Sequence, residues 1–550
     1  MPPATTRVKQ ARQAALPLLL ALAPVFAPCI AAQEPPSAQL PSTQQMPERD
    51  DVARFRQRLQ AAISANGAQK AYWGALVLDA ETGETLYALN ADRYFKAASN
   101  MKLFTTVMAL ATLGPDFRTH TSVETTGILN RNGLLRGDLL LVGRGDANLS
   151  NRVFPFTKNG DRSGPASQAL AELADEVVKR GVKQVRGDII ADDSYFAPAR
   201  YPSGWTVDDT VWSYGAPVSA IAVNDNSLTL QVRPGPTVGS PARIDWDPWP
   251  GPYAVRVETR TVAASTPDAM LSLARDPESK IFILGGTVPV DAPMRTLSLA
   301  VPEPAEYAAA LLKRLLEERG VRITGKSHAR HAGDPHAEKR AVEPNVLAAR
   351  LSPELIEDLR LTNKMSQNLH AELMLRIAAK EKAAAQTLED ALKFAAQFRD
   401  SIGILPGDVT QADGSGLSRN GFVTPQSVVA LLSYAAAQPW AEAFADTLPV
   451  AGEDGTLENR MKTTAAAGRV RAKTGTVNGT AGLSGYATTV SGKHLIFSLF
   501  GNNNAGAARD TTAVLDAICL AMVEEIGAAA ATSGKETSAQ PAHETVGSQP

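Results

Sequence analysis

Ser99 and Lys102 lie three residues apart in Tyr94-Phe95-Lys96-Ala97-Ala98-Ser99-Asn100-Met101-Lys102-Leu103-Phe104-Thr105-Thr106. On a helix this spacing puts both side chains on one face, where their functional ends can meet. A serine hydroxyl is a poor nucleophile at neutral pH and needs a base within hydrogen-bond reach. A lysine serves as that base only where burial or a second cation lowers its pKa. Apolar Leu103, Val107 and Leu110 continue the same helix and would bury it. On average composition S-x-x-K arises by chance about once in a chain of this length, so the pair needs support from elsewhere in the sequence.

Two further stretches supply it. Ser366-Gln367-Asn368 opens a helical pattern in Leu361-Thr362-Asn363-Lys364-Met365-Ser366-Gln367-Asn368-Leu369-His370-Ala371-Glu372. Lys473-Thr474-Gly475-Thr476 falls on a strand pattern. Each has an ordinary explanation. Ser and Asn favour helix N-caps for local backbone reasons, and a lysine protects an exposed sheet edge. The three together, in the order S-x-x-K, S-x-N, K-T-G, and each on the element the chemistry requires, are far harder to obtain by accident.

The elements that must position them read as follows. Residues 51–65 are helical, 73–79 and 85–89 form a hairpin around Glu81-Thr82-Gly83, and the Ser99 helix stops near Gly114-Pro115. Residues 121–345 change character. Short strands are expected at 122–129, 134–142, 185–191, 228–232, 254–261 and 280–284, with helices at 166–180 and 304–319. We read this as an inserted α+β region of one or two domains, without internal repeats. Ser352-Pro353 has the form of a helix N-cap and first turn. Helices are expected at 366–380, 386–401 and 507–526, and strands at 468–476, 484–490 and 494–500. The expected organisation is core residues 51–120 and 346–526 around the insertion 121–345.

The 550 residues are 44% hydrophobic, enough for several packed domains, and the net charge of −2 gives no electrostatic case for nucleic acid. Residues 1–32 have the form of an export signal: basic Arg7, Lys9 and Arg12, an apolar run over 14–27, and small residues with cleavage expected near Ala31 or Ala32. Pro17 and Pro24 disfavour a core helix, and the run is short for a membrane span. A flexible leader is expected over 33–50 and a disordered tail over 527–550. If Cys29 leaves with the signal, Cys519 is the remaining thiol, which permits no internal disulfide. The expectation is an exported, periplasmic protein without a transmembrane anchor.

With these motifs the chain resembles a class C low-molecular-mass penicillin-binding protein, the D-alanyl-D-alanine carboxypeptidase/endopeptidase family of serine peptidases. The likeness runs over about residues 55–525. It includes Gly137-Asp138-Leu139-Leu140-Leu141-Val142-Gly143, Tyr214-Gly215-Ala216-Pro217-Val218-Ser219-Ala220, Asp413-Gly414-Ser415-Gly416-Leu417-Ser418-Arg419 and Leu448-Pro449-Val450-Ala451-Gly452. Gln367 stands where the S-D-N form of the second motif has aspartate. The resemblance implies an α+β fold: a transpeptidase-like core, antiparallel sheet with helices as in β-lactamases, carrying the insertion. It implies Ser99 as nucleophile, Lys102 as base and Ser366 as the relay of the proton to the leaving amine, linking Lys102 with Lys473. Asn368, Lys473, Thr474, Gly475 and Thr476 would bind substrate, with the Ser99 and Thr476 N–H groups as the oxyanion site. Substrates would be peptidoglycan stem peptides and cross-links, with β-lactams as covalent inhibitors. No metal or organic cofactor is implied.

Asp192, in Asp192-Asp193-Ser194-Tyr195-Phe196, and Arg419 are candidates for reading a zwitterionic substrate side chain. His328, His331 and His336 with Asp334 match no closed zinc site and are read as a solvated loop. His370 receives no role. No G-x-S-x-G is present, which removes the α/β-hydrolase reading. Two alternatives stand beside the peptidase: a β-lactamase, for which no deacylating glutamate is identified, and a catalytically silent wall-binding scaffold, against which the intact motif residues argue.

Overall fold

The computed structural model describes residues 49–529 except 66, 157–161, 277, 335–342 and 505–507. The expected signal, nearly all of the leader and tail, and His336 lie outside the described residues. The fold is α+β, with antiparallel sheet and helices in its core. The core sheet has five antiparallel strands: β1 (Tyr72–Asp79), β2 (Thr85–Leu89), β3 (Val470–Val477), β4 (Thr480–Thr488) and β5 (His494–Asn502), in the order β2-β1-β5-β4-β3. Both faces are covered, and strand alternation decides what each side chain meets. Ala75, Val77, Leu495, Phe497 and Leu499 face one layer, with Phe55 of helix α1 (Asp50–Ser64). Leu76, Ile496 and Phe500 face the other, with Leu103 and Val107 of helix α2 (Met101–Leu113). Two further helices, α3 (Leu355–Lys364) and α4 (Asn368–Ala383), pack in the second layer, and α5 (Ala508–Glu525) closes the first. Among the described residues no helix is long and apolar enough to cross a membrane.

The chain leaves this core through the strand His120–Thr125 and returns through Asn345–Leu351, which pair antiparallel with Leu351 opposite His120. A segment of over two hundred residues therefore starts and ends at one place. Ser352 belongs to that junction: its N–H donates to the Thr119 carbonyl at 2.9 Å and its Oγ accepts from Thr119 N at 3.0 Å. It is not the N-cap expected from Ser352-Pro353, because α3 begins at Leu355 with Glu354 as its cap residue.

Two expected strands are each broken in half. The stretch 134–142 forms Leu134–Arg136 and Leu139–Val142, and 185–191 forms Gln184–Arg186 and Ile189–Asp192, with the halves in two different sheets. The break is a Gly-Asp kink that stacks on itself. A Cβ on Gly187 would stand 2.2 Å from the Gly137 carbonyl oxygen, and one on Gly325 would stand 2.1 Å from that of Gly187. Asp138 Oδ1 accepts from Asp188 N at 2.7 Å, and Asp188 Oδ1 accepts from Lys326 N at 2.7 Å. The strand pairs on either side of these kinks run parallel. The kinked strand is thus a repeated unit that the sequence reading missed.

Gly187→Ala is expected to lower stability by about 1–3 kcal/mol, since the clash is with backbone that cannot rotate away. Gly421→Ala, which like Gly187 has no positive φ but whose Cβ would meet its nearest atom at 3.5 Å, is the comparison for losing a glycine without a clash. Urea melts of the two variants check this, and an equal loss would show that the stacked kinks do not constrain the fold.

Candidate active site

Helix α2 is entered through a turn at Ala98–Asn100, and Ala98 holds φ 44 there. A non-glycine residue at positive φ beside the nucleophile candidate is strain held by its surroundings. The Asn100 amide is buried without a hydrogen-bond partner and sits against the sheet, where a Cβ on Gly475 or Gly482 would lie 2.6 Å from its Nδ2. Gly475 is therefore tightly packed inside the protein, a reason for glycine beside the substrate-binding role that the resemblance implies.

Lys102 is fully buried on α2. Its Nζ is 2.9 Å from Ser99 Oγ, 2.6 Å from Asn368 Oδ1 and 2.8 Å from the Ser415 carbonyl oxygen. Burial pushes its pKa down from 10.5 to about 7, against the opposing pull of Asp413 and Glu372. Lys473, on edge strand β3, is also fully buried; its Nζ donates to Ser366 Oγ at 3.0 Å and to the Thr474 carbonyl at 2.9 Å. Burial, then the charge of Lys102, holds its pKa well below the usual lysine value. Ser366 sits between α3 and α4 with φ 57, in the left-handed region. Its hydroxyl meets Lys473, while Lys102 meets Asn368. Asn368 is held at both ends, since its Nδ2 donates to the Tyr214 carbonyl at 2.8 Å. Thr474 Oγ1 is 2.7 Å from Thr456 Oγ1.

The structure thus brings eight of the sequence-derived residues to one place. Ser99, Ser366, Asn368 and Thr476 line a cleft of about 330 Å³. Lys102 and Lys473 lie buried next to it through their hydrogen bonds, and Thr474 and Gly475 connect Lys473 to Thr476 along β3.

Arg419 lines the same cleft, together with Asp209 and Tyr214. Asp192 does not. It is buried in the strand Ile189–Asp192, accepts from the backbone N–H and hydroxyl of Ser194, and stands 3.5 Å from Arg330. The acid beside Arg419 is Asp209, paired with the guanidinium at 2.5 and 3.3 Å. Burial is the largest single effect on Asp209 and raises its pKa, but the Thr206 bonds and Arg419 together overcome it and lower the pKa. Asp209 was missed because its partner is remote in sequence. Tyr214 and Asp413 did stand in stretches already singled out.

His370 lies fully buried between Asp358, at 2.5 Å, and Asp225, at 3.1 Å. The two carboxylates overcome burial and raise it to about 9, so it is a charged clamp between α4 and the inserted segment rather than an idle residue. His331 Nδ1 is 2.7 Å from Asp193. Among the described residues no histidine, cysteine or acidic cluster is arranged to hold a metal ion.

The D-Ala-D-Ala carboxypeptidase 3 (S13) family model matches residues 55–521. The chain is 36% identical over 488 residues to a D-alanyl-D-alanine carboxypeptidase of Actinomadura sp. (strain R39), covering 86% of each chain. It is 27% identical over 422 residues to the D-alanyl-D-alanine carboxypeptidase DacB of Haemophilus influenzae, covering 75% of this chain and 81% of the relative. The crystal structure of penicillin binding protein 4 (dacB) from Haemophilus influenzae shares the fold, with TM-score 0.71 at 24% identity over 85% of this chain and 97% of that one. By the reach of the family match and the identity to its relatives, this chain belongs to the D-Ala-D-Ala carboxypeptidase 3 (S13) family, the class C low-molecular-mass penicillin-binding proteins.

Proposed function

We propose that the protein is a serine D-Ala-D-Ala carboxypeptidase with D,D-endopeptidase activity on peptidoglycan, working through an acyl-enzyme on Ser99. The contact set of Lys102 carries the reading. A neutral amine has two N–H donors and one lone pair. Asn368 Oδ1 and the Ser415 carbonyl can take the two N–H groups, which leaves the lone pair facing the Ser99 hydroxyl. The amine is then a general base at hydrogen-bond distance from the nucleophile, with a pKa near the working pH.

Ser99 Oγ attacks the carbonyl of the penultimate D-alanine and its proton passes to Lys102. The Ser99 and Thr476 N–H groups stabilise the oxyanion, as the family resemblance implies. The C–N bond breaks, and Ser366, hydrogen-bonded to Lys473, relays a proton to the leaving amine. Water then releases the acyl group from Ser99. Lys473 and Thr474 supply the cation and hydroxyl that suit the terminal carboxylate. A β-lactam presents the same acyl bond and leaves Ser99 acylated. Arg419 and Asp209, already paired at the cleft, suit a substrate side chain that carries both an ammonium and a carboxylate. We place the enzyme in the periplasm after removal of residues 1–32, with 121–345 as the insertion of a core formed by 51–120 and 346–526.

Mixing the protein with benzylpenicillin is expected to add one drug mass to wild type and none to Ser99→Ala, read by intact mass spectrometry. Lys102→Ala should slow the adduct by about 10²–10⁴-fold. An adduct on Ser99→Ala would refute the assignment, and drug hydrolysis without an adduct would favour the β-lactamase.

Because the base must be neutral, the acylation rate should rise with pH and reach half its plateau near pH 7, where Lys102 loses its proton. A rate constant flat from pH 5 to 9 would exclude Lys102 as the base.

Arg419→Ala and Asp209→Ala should each reduce kcat/KM by about tenfold on muropeptides with a zwitterionic diamino acid, from loss of a charged hydrogen bond, and should change it little on acyl-D-Ala-D-Ala lacking that group. Equal losses on both substrates would show that the pair only shapes the cleft.

A further inference from the structure

Glu372 takes no part in the steps above, yet its carboxylate is fully buried one turn beyond Asn368 on α4. Its Oε1 accepts the N–H groups of Gly414 at 2.8 Å and Ser415 at 2.9 Å. Its Oε2 is held by Arg376 Nη1 at 2.8 Å, and Arg376 Nη2 donates to the Ala199 carbonyl at 3.3 Å. Two consecutive amides bound to one oxygen fix how this short segment is turned. The outcome is visible at its far side: the Gly414 carbonyl accepts from Thr105 Oγ1 at 2.7 Å, and the Ser415 carbonyl meets Lys102 Nζ at 2.8 Å. The segment also lies directly on α4, since a Cβ on Gly414 would stand 2.5 Å from the Ala371 carbonyl oxygen. Asp413 ties down the residues that follow, accepting from the N–H groups of Gly416 and Ser418, each at 2.7 Å.

We propose that Glu372 is a positioning residue for Lys102: by fixing the Gly414-Ser415 segment it holds the Ser415 carbonyl on one N–H of the amine, so that the lone pair is aimed at Ser99. The inference rests on Lys102 acting as the base. It gives the carbonyl contact a cause: Thr105 of α2 holds only the Gly414 carbonyl, while Glu372 holds the N–H groups of both Gly414 and Ser415. Glu372 also acts through charge. The ionisable groups that bear on Lys102 are Asp413 of the loop and Glu372 of α4, which both favour its ammonium form, and Lys473 of β3, which is a like charge. Burial and the charge of Asp413 raise the Glu372 pKa, and Arg376 opposes them by favouring the carboxylate.

Position and charge make separable predictions. Glu372→Gln keeps the size and an acceptor oxygen but removes the charge and the Arg376 pairing. The second-order rate constant for acylation by benzylpenicillin should fall about tenfold or more on its high-pH plateau, the scale of a misaligned reacting group. Its acid limb should move down by about one pH unit, because a lost neighbouring anion favours the neutral amine. Glu372→Asp keeps the charge and shortens the reach, so the plateau should fall while the acid limb stays in place. Circular dichroism and thermal melting establish that each variant is folded. A folded Gln variant with the wild-type plateau overturns the inference, as does one whose plateau falls while its acid limb stays at the wild-type pH. Should the Gln variant not fold, the Asp variant decides, and a wild-type plateau there overturns it. If wild type forms no adduct at all, the proposed function itself falls, an outcome distinct from each of these.

Discussion

Burial of the Lys102 amine is the constraint on which the site depends. A fall from 10.5 to about 7 represents about 5 kcal/mol of bias against the ammonium form. That bias survives two nearby carboxylates, Asp413 and Glu372, so desolvation outweighs attraction here. A buried amine can remain neutral only if its donors are satisfied, since each unpaired polar group costs about 1–3 kcal/mol. The chain meets this with acceptors from two remote segments, Asn368 on α4 and Ser415 on a loop beyond the next helix, Leu388–Ser401. In the proposed mechanism the turn Ala98–Asn100 and helix α2 carry nucleophile and base, but the sequence after the insertion completes their surroundings. Reading S-x-x-K as a local motif therefore describes only half of what makes Lys102 reactive.

The insertion interrupts the core between these halves without separating them. It leaves and returns through two neighbouring antiparallel strands, so the core sees it as a long loop with closed ends. It also contributes to the site. Asp209 and Tyr214 lie within it and line the cleft, and the Tyr214 carbonyl fixes the amide of Asn368. Asp225, also within it, clamps charged His370 two residues beyond Asn368. An inserted segment that only decorated the core would have no reason to grip the first turn of α4 at both points. The clamp is buried and charge-rich, with Arg152 and Arg162 on the same Asp225 carboxylate. Such networks stabilise little against apolar packing but penalise any other arrangement heavily, which suits a contact whose task is register.

What the sequence made legible was what local spacing determines. Ser99 and Lys102 meet because a helix brings i and i+3 together, and Leu103, Val107 and Leu110 bury that helix as their spacing implies. The return strand 85–89 is found at its expected limits, since its turn carries its own residues. Legibility ended where a residue's reason lies far along the chain. The kink at Gly137 exists because Gly187 must pass beside it, and no window around residues 134–142 contains that fact. Ser352 has the right neighbour for an N-cap, but Thr119 claims its hydroxyl. Asp192 and Asp209 both stand in acidic, loop-like stretches of the insertion, and only the fold distinguishes the one buried against Arg330 from the one facing Arg419.

The two buried lysines complete the argument. Each is disfavoured as a cation by burial, and the charge of Lys102 further disfavours that of Lys473. Such a site resists holding two protons at once. A carboxylate brought to Lys473 reverses the balance there, because an adjacent anion favours the ammonium form. Under the proposed function that anion is the terminal carboxylate of the substrate. Its arrival would draw a proton to Lys473, and like-charge repulsion would then favour Lys102 remaining neutral. Ser366 is hydrogen-bonded to Lys473 and lines the cleft, and in the proposed mechanism it passes that proton to the leaving amine. On this view the substrate's charge does more than anchor it. It assigns one lysine as acid-side cation and the other as base, roles that burial alone leaves unassigned.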